Sequence, residues 1–247
     1  MDATGVPYEM LDAKEAMYRW PQWNLTDDIR VLYQAESGIA PAAKAMAAHL
    51  RMAKAHGAVL KDNAPVTAIT PIGDELEVTA GGETYRCEQL VIASGAWTNT
   101  ALGFLGEKIN LEVTQEQVAY YDTPHVADFM PDRFPIWIWM TEPCFYGFPV
   151  YGENGPKVSQ DAGGHEVTTD TRTFVPDAAY DERLDTFVKR YLPKAHGGRI
   201  LTRTCLYTMP PDRDFVLSKI PSQPNVQVAV GAAHAFKYSS QIGRAHV

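Results

Sequence analysis

Cysteine is scarce in this chain: Cys87, Cys144 and Cys205 are the three in 247 residues. An odd number at wide, irregular intervals makes neither a disulfide framework nor a zinc-binding spacing, so no metal site is expected and the compartment should be reducing. Lys and Arg are scattered, and the formal net charge is −8. Without a basic stripe to track phosphates, nucleic acid is excluded as the expected partner. No apolar run approaches the length of a membrane span. The opening MDATGVPYEMLDAKEA has no basic segment leading into an apolar one, so it does not read as a secretory signal. Internal repeats and low-complexity tracts are missing, and so is the Gly-x-Gly-x-x-Gly dinucleotide fingerprint. These absences set the expectation of a soluble, cytoplasmic protein that uses neither membrane nor nucleic acid.

What is present is a globular composition, 45% hydrophobic and 21% charged, enough for one large or two small domains. The first forty residues read as loop-rich, punctuated by RWPQWNL and ESGIAP. PAAKAMAAHLRMAKAHG predicts a helix with Pro41 at its start and Gly57 past its end. Its Ala43, Met46, Ala47, Leu50 and Ala53 form one apolar face. AVL after Gly57 predicts a short strand, PVTAIT another, and ELEVTA with ETYRC a hairpin through AGGE. EQLVIASGAWTNTAL predicts a buried strand, Leu90 to Ala93, turning on Ser94-Gly95 into a helix. LEVTQEQVAYYD, IWIWM, CFYGFPVYG and PKVSQD are aromatic-rich strands of a mostly antiparallel sheet. AAYDERLDTFVKRYLP is an amphipathic helix ended by Pro193. ILTRTCLYTMP is a further strand, and NVQVAVGAAHAFKYSSQIG a buried strand, a Gly-Ala turn and a helix start.

VIASGAW and VAVGAAHAFKYSS share one logic. Each delivers a hydrophobic strand into a Gly-containing turn, the place where ligands of open α/β sheets bind. Glycine permits close backbone approach, and the helix start that follows favours negative charge. An ordinary strand-to-helix corner has the same pattern, so these motifs alone leave a nucleotide cofactor open.

RWPQWNL, the SGIAP-then-helix block, LVIASGAW, FYGFP, PKVSQD, TCLYTMPPDRDF and GAAHAFKYSS occur in an order that resembles the sarcosine oxidase and N-methyltryptophan oxidase branch of the D-amino-acid-oxidase-type flavoproteins. The resemblance runs over nearly the whole chain. It implies an α/β fold in which pieces of a doubly wound FAD-binding domain interleave with a mostly antiparallel (α+β) substrate domain. The implied segments are 1–40 and 105–200 for the substrate domain, and 41–104 and 201–247 for the FAD domain. The family's N-terminal βαβ unit is expected ahead of residue 1 and a helix beyond Gly243. The closing IGRAHV matches a translated sequencing adapter and is expected not to be native, although Ile242, Gly243 and Arg244 alone could be genuine.

The resemblance also implies roles. Cys205, in CLYT, matches the cysteine joined by a thioether to the 8α-methyl of FAD, with Arg203 two residues away as a cation that could favour the thiolate. Cys87 and Cys144 match no such motif. Val66, Ser94, Gly95, Trp97, Gly231, His234, Phe236 and Lys237 fall on cofactor positions. Lys157 matches the lysine near flavin N5 that assists reduction of dioxygen by its fixed charge. Lys237 matches a lysine that holds the substrate carboxylate. Tyr146 and Tyr207 match aromatic pocket walls. Trp137 falls on a pocket position that carries a flexible Met in sarcosine oxidases. Asp161 stands where the family has an active-site His, which changes the charge of the site and puts sarcosine itself in question. His165 reads as a surface histidine. The implied reaction is oxidation of a secondary amine, with dioxygen reduced to hydrogen peroxide. Oxidation of a cyclic imino acid or glycated amine, a dehydrogenase that uses an electron carrier, and a non-catalytic flavin-binding module are the alternatives.

Overall fold

A computed structural model describes residue 3 and residues 5–242, the side chain of Ile242 excepted. The expectations about the closing IGRAHV, past its Ile242, and about a helix beyond Gly243 fall on 243–247, outside the described residues. Along the chain, β1 (Glu9–Asp12) and β2 (Arg30–Tyr33) bracket α1 (Ala13–Arg19). α2 (Ala42–Ala55) leads to β3 (Val66–Ile72), β4 (Glu75–Ala80), β5 (Glu83–Cys87), β6 (Leu90–Ile92) and α3 (Thr98–Gly103). Then come β7 (Glu112–Tyr121), β8 (Trp137–Trp139), β9 (Phe145–Phe148), β10 (Lys157–Gln160) and β11 (His165–Glu166). α4 (Ala178–Tyr191), β12 (Arg199–Met209), β13 (Val216–Ile220), β14 (Gln223–Val230) and α5 (Ser239–Ile242) complete the order. The class is mixed α/β with mostly antiparallel pairing, as the sequence predicts. The chain forms two compact units, one of residues 1–39, 115–165 and 173–205, the other of 40–114, 166–172 and 206–247.

The first unit is organised by a sheet in the order β11-β7-β10-β9-β8, with β12 also paired to β7. α4 forms because Tyr180, Leu184, Phe187, Val188 and Tyr191 recur at helical spacing. The Asp177 carboxylate caps its start by accepting the Ala179 and Tyr180 amides. Its apolar side packs on Ala119, Tyr121, Phe145 and Val158, one face of the sheet. Arg199 pins α4 from outside, 2.9 Å from Asp181 and 2.7 Å from Asp185, while the Tyr121 hydroxyl donates to Asp185 at 2.9 Å.

Alternation sets the surroundings of one expected site residue. Trp137 lies opposite Gly147 in the β8–β9 register, and Gly147 lies opposite Val158 of the core. Trp137 therefore fills the space above a residue without a side chain, stacks on Phe187 with centroids 5.5 Å apart, and meets Trp23 edge-on at 5.1 Å. Its ring thus packs among the aromatics that meet α4.

In the second unit β14 pairs antiparallel with β13 and parallel with β6, setting Val226 against Leu90 and Val228 against Ile92. Ile69, Leu76, Leu102, Ile220 and Val230 join Ile92, Val226 and Val228 in its core. The β4–β5 hairpin turns on Gly81 and Gly82, both at positive φ, as AGGE requires. α2 follows Pro41 and precedes Gly57 at φ +88°, yet none of its residues is buried. AVL is not a strand, and its Val59 is 80% exposed. Of the predicted buried run Leu90 to Ala93, Ile92 alone is buried. β1, α1, β2 and β13 were not expected. α1 starts because Asp12 accepts the Glu15 amide at 2.8 Å, a cap hidden in a stretch that reads as loop.

A Cβ added at Gly147 would collide with the Trp137 ring and the Lys157 carbonyl oxygen. Gly147→Ala is expected to cost about 1–3 kcal/mol in chemical denaturation. Adding Trp137→Leu should recover part of that loss by removing the ring.

Candidate functional site

Within the first unit, the sheet face opposite the α4 core carries the candidate chemistry. Lys157 opposes Phe148 on one side and Tyr120 on the other, and Tyr146 is two residues from Phe148, so period two places all four on one face. The Lys157 ammonium lies 4.5 Å from the Phe148 ring centroid and 5.6 Å from that of Tyr146. Burial pushes it below the ordinary lysine range, and the negative form of Cys205 partly offsets this. No carboxylate contributes among the described residues. Cys205 is exposed on β12, whereas Cys87 and Cys144 are half-buried. The expected role of Arg203 changes, because its guanidinium is 2.9 Å from Glu153. Lys157 is a cation whose charge couples to that of Cys205. Tyr207, half-buried, follows Cys205 by two residues on the same strand.

Asp161 directly follows β10 and is half-buried, its amide donating to the Cys144 carbonyl at 2.9 Å. The next residues form a clamped turn. Ala162 sits at φ +52°, and the amides of Gly163 and Gly164 donate to one oxygen of buried Glu116 at 3.0 and 2.9 Å. His165 is exposed, its ring 3.9 Å from Asp177, as a surface histidine should be.

Within the second unit, the two strand-end turns line one cavity of about 380 Å³. Ser94, Gly95, Ala96 and Trp97 come from the turn after β6; Gly231, Ala233, Ala235 and Phe236 come from the turn after β14. Val230, Leu206, Thr208 and Arg172 complete the lining. Gly95 is at φ +55°, and a Cβ at Gly231 would lie 2.5 Å from that of Ala235. Ala232 and Ala233 take φ +42° and +67°, unusual for residues with side chains and characteristic of ligand-binding turns. The Ser94 hydroxyl is buried with no hydrogen-bond partner among the described residues. Ring-sized volume, aromatic and small walls and an unsatisfied hydroxyl fit the planar part of a flavin.

Five of the expected cofactor residues, Ser94, Gly95, Trp97, Gly231 and Phe236, thus meet at this cavity, and Cys205 is the chain neighbour of its lining residue Leu206. Three others do not line it. Val66 starts the β3–β4–β5 sheet and is 44% exposed. His234 is exposed, its ring tilted on Phe215 at 5.0 Å and its Nδ1 2.6 Å from the Ala232 carbonyl oxygen. Lys237 is exposed and lies 5.7 Å from the Tyr238 ring centroid. Sequence reading missed Arg172 and Thr208. Arg172 is the one charged residue of the lining, and its setting, HEVTTDTR, gives no local signal.

A cavity at two strand-end turns is the ligand position of an open α/β fold. The comparison with known proteins makes the class definite. The chain belongs to the FAD dependent oxidoreductase family (DAO), which matches residues 1–246. It is 34% identical to monomeric sarcosine oxidase of Streptomyces avermitilis, over 96% of this chain and 63% of that protein. It is 27% identical to N-methyl-L-tryptophan oxidase of Citrobacter koseri, over 95% of this chain and 63% of that protein. Among solved structures it superimposes on NikD, an unusual amino acid oxidase essential for nikkomycin biosynthesis, with a TM-score of 0.84 and 27% identity, covering 99% of this chain and 65% of that one. The chain thus spans less than two thirds of the length of these relatives.

Lys157 and Cys205 attract each other's charged forms. In flavin-free protein, Lys157→Met is therefore expected to slow iodoacetamide alkylation of Cys205 at neutral pH by about three- to tenfold, read by mass spectrometry of the 205-containing peptide. An unchanged rate removes the coupling.

Proposed function

We propose that the protein oxidises a secondary amine of the N-methyl amino acid class with FAD, using dioxygen as acceptor and releasing hydrogen peroxide. The supporting observation is the ammonium of Lys157. It is desolvated among two aromatic rings and a thiol, and no ion pair compensates it among the described residues. Such an arrangement is costly for a structural lysine and useful for stabilising charge that develops on a small reactant.

When bound, FAD supplies the acceptor for the two electrons of the C–H bond beside nitrogen and passes them on to dioxygen. Ser94, Gly95, Trp97, Gly231 and Phe236 are the residues of the cavity that would hold its ring system. Cys205 is the thiol for covalent attachment. Tyr146 and Tyr207 provide aromatic walls that orient the amine, and Lys237 is the cation for its carboxylate. Lys157 keeps a positive charge where oxygen becomes negative. Asp161 favours a substrate amine that arrives as a cation and gives its proton to solvent before the adjoining C–H bond breaks, and this carboxylate is the reason to keep other amines, such as cyclic imino acids, as a second reading of the substrate.

In flavin-loaded protein, Lys157→Met should slow reoxidation by dioxygen about 10²-fold. Reduction of the flavin by N-methylglycine or N-methyl-L-tryptophan, followed anaerobically, should change little; equal slowing of both steps removes the assigned role. Because burial depresses the Lys157 pKa, its ammonium is complete at low pH and is lost as pH rises through a value below that of ordinary lysine. The parent's oxygen step should decline over that range, and the Lys157→Met protein should not follow it. Flavin should stay with the parent on acid precipitation and leave Cys205→Ala.

A further inference from the structure

Glu116 is a carboxylate in the middle of β7 with 1% of its surface exposed, and no step of the proposed reaction uses it. Its Oε2 serves one turn. A single oxygen, Oε2, accepts the amides of Gly163 and Gly164 and lies 3.5 Å from the Tyr180 hydroxyl. The same turn is gripped from α4. Arg183 donates from Nε to the Gln160 side chain at 2.8 Å and from Nη2 to the Gly163 carbonyl at 2.9 Å, and the Tyr180 hydroxyl donates to the Gln160 carbonyl at 2.6 Å. A Cβ at Gly164 would enter the Gln115 backbone, and one at Gly163 would displace the end of the Gln160 side chain that Arg183 holds.

Burying a carboxylate is expensive, and holding Ala162 in the left-handed region adds to the cost. A short connection between two strands needs neither. What the clamp holds at its centre is Asp161, tied also through its amide to Cys144. We infer that Glu116 and Arg183 are positioning residues that fix Asp161 to receive the cationic amine of the substrate. This rests on the amine-oxidation reading above and adds to it how recognition of the amine is set. The backbone that carries Asp161 does not have to be ordered when substrate arrives, because the turn is already closed around Glu116.

The test compares Glu116→Leu, Glu116→Gln, Asp161→Asn and the Glu116→Leu/Asp161→Asn double variant in flavin-loaded protein. Anaerobic flavin reduction by N-methylglycine and N-methyl-L-tryptophan gives the dissociation constant and the limiting rate separately. Glu116→Leu should weaken binding about tenfold with the limiting rate within about twofold. Glu116→Gln, which keeps an acceptor oxygen for the two amides, should bind like the parent. The double variant should bind no more weakly than Asp161→Asn alone. Multiplying losses in the double variant, equal losses in Leu and Gln variants, or no loss in Glu116→Leu overturns the inference. If Glu116→Leu yields no folded protein, Arg183→Gln is read against Asp161→Asn in the same cycle. Hydrogen exchange of the 161–165 amides, measured without flavin, should be faster in Glu116→Leu and parent-like in Glu116→Gln; unchanged exchange in Glu116→Leu also overturns it. A parent whose flavin no amine reduces counts against the proposed function and leaves the amide result to judge the clamp.

Discussion

The first unit depends on three adjacent polar side chains that have no right to be buried unless something satisfies them. Gln115, Glu116 and Gln117 of β7 are 4%, 1% and 2% exposed. Each takes its partners from a different part of the chain, because a buried polar group without a partner costs more than a paired one returns. Gln115 accepts the Thr173 amide and Gln117 the Asp177 amide, both at 2.7 Å, while Glu116 holds the turn after β10. Asp177 in turn caps α4. The register of β7 therefore sets where α4 begins, and α4 carries Phe187 into the ring cluster that supports the sheet.

The two faces of β10 divide the work. Val158 is 1% exposed and locks the strand into the core. Its neighbour Lys157 must then project to the other face, where rings and a thiol replace water around its charge. The ammonium is tolerated there because ring faces attract cations and because a cysteine in its negative form would pair with it. Position follows from packing, and the shifted ionisation follows from position.

What could be read from the sequence was what local chemistry encodes. α4, the β4–β5 hairpin and β12 announce themselves by period and by turn residues, and SGAW and GAAHAF mark the turns that form the cavity. LEVTQEQVAYYD reads as a strand, but nothing local in TQEQ says that segments up to 60 residues further on will bury its side chains. The packing of Trp137 is not local information either, because register is a tertiary property and the glycine across the strand that makes room for the ring lies ten residues away. Arg172 reaches the cavity from a Thr- and Asp-rich connection with no periodicity at all. α1 is too short for a pattern and exists through its Asp12 cap.

One strand also explains how opposite charges can serve one reaction without cancelling. Lys157 opens β10 and Asp161 follows its end, four residues on. At about 3.3 Å per residue their backbones are about 13 Å apart. At an effective dielectric near 20 such a separation leaves roughly 1 kcal/mol of attraction, too little to neutralise a desolvated ammonium. In the proposed reaction, Lys157 would keep its field for a reactant that gains negative charge while Asp161 would meet one that arrives positive. Separation of this kind survives only if neither end of the strand can drift. Val158 secures one end from the core, and the buried carboxylate of Glu116 secures the other.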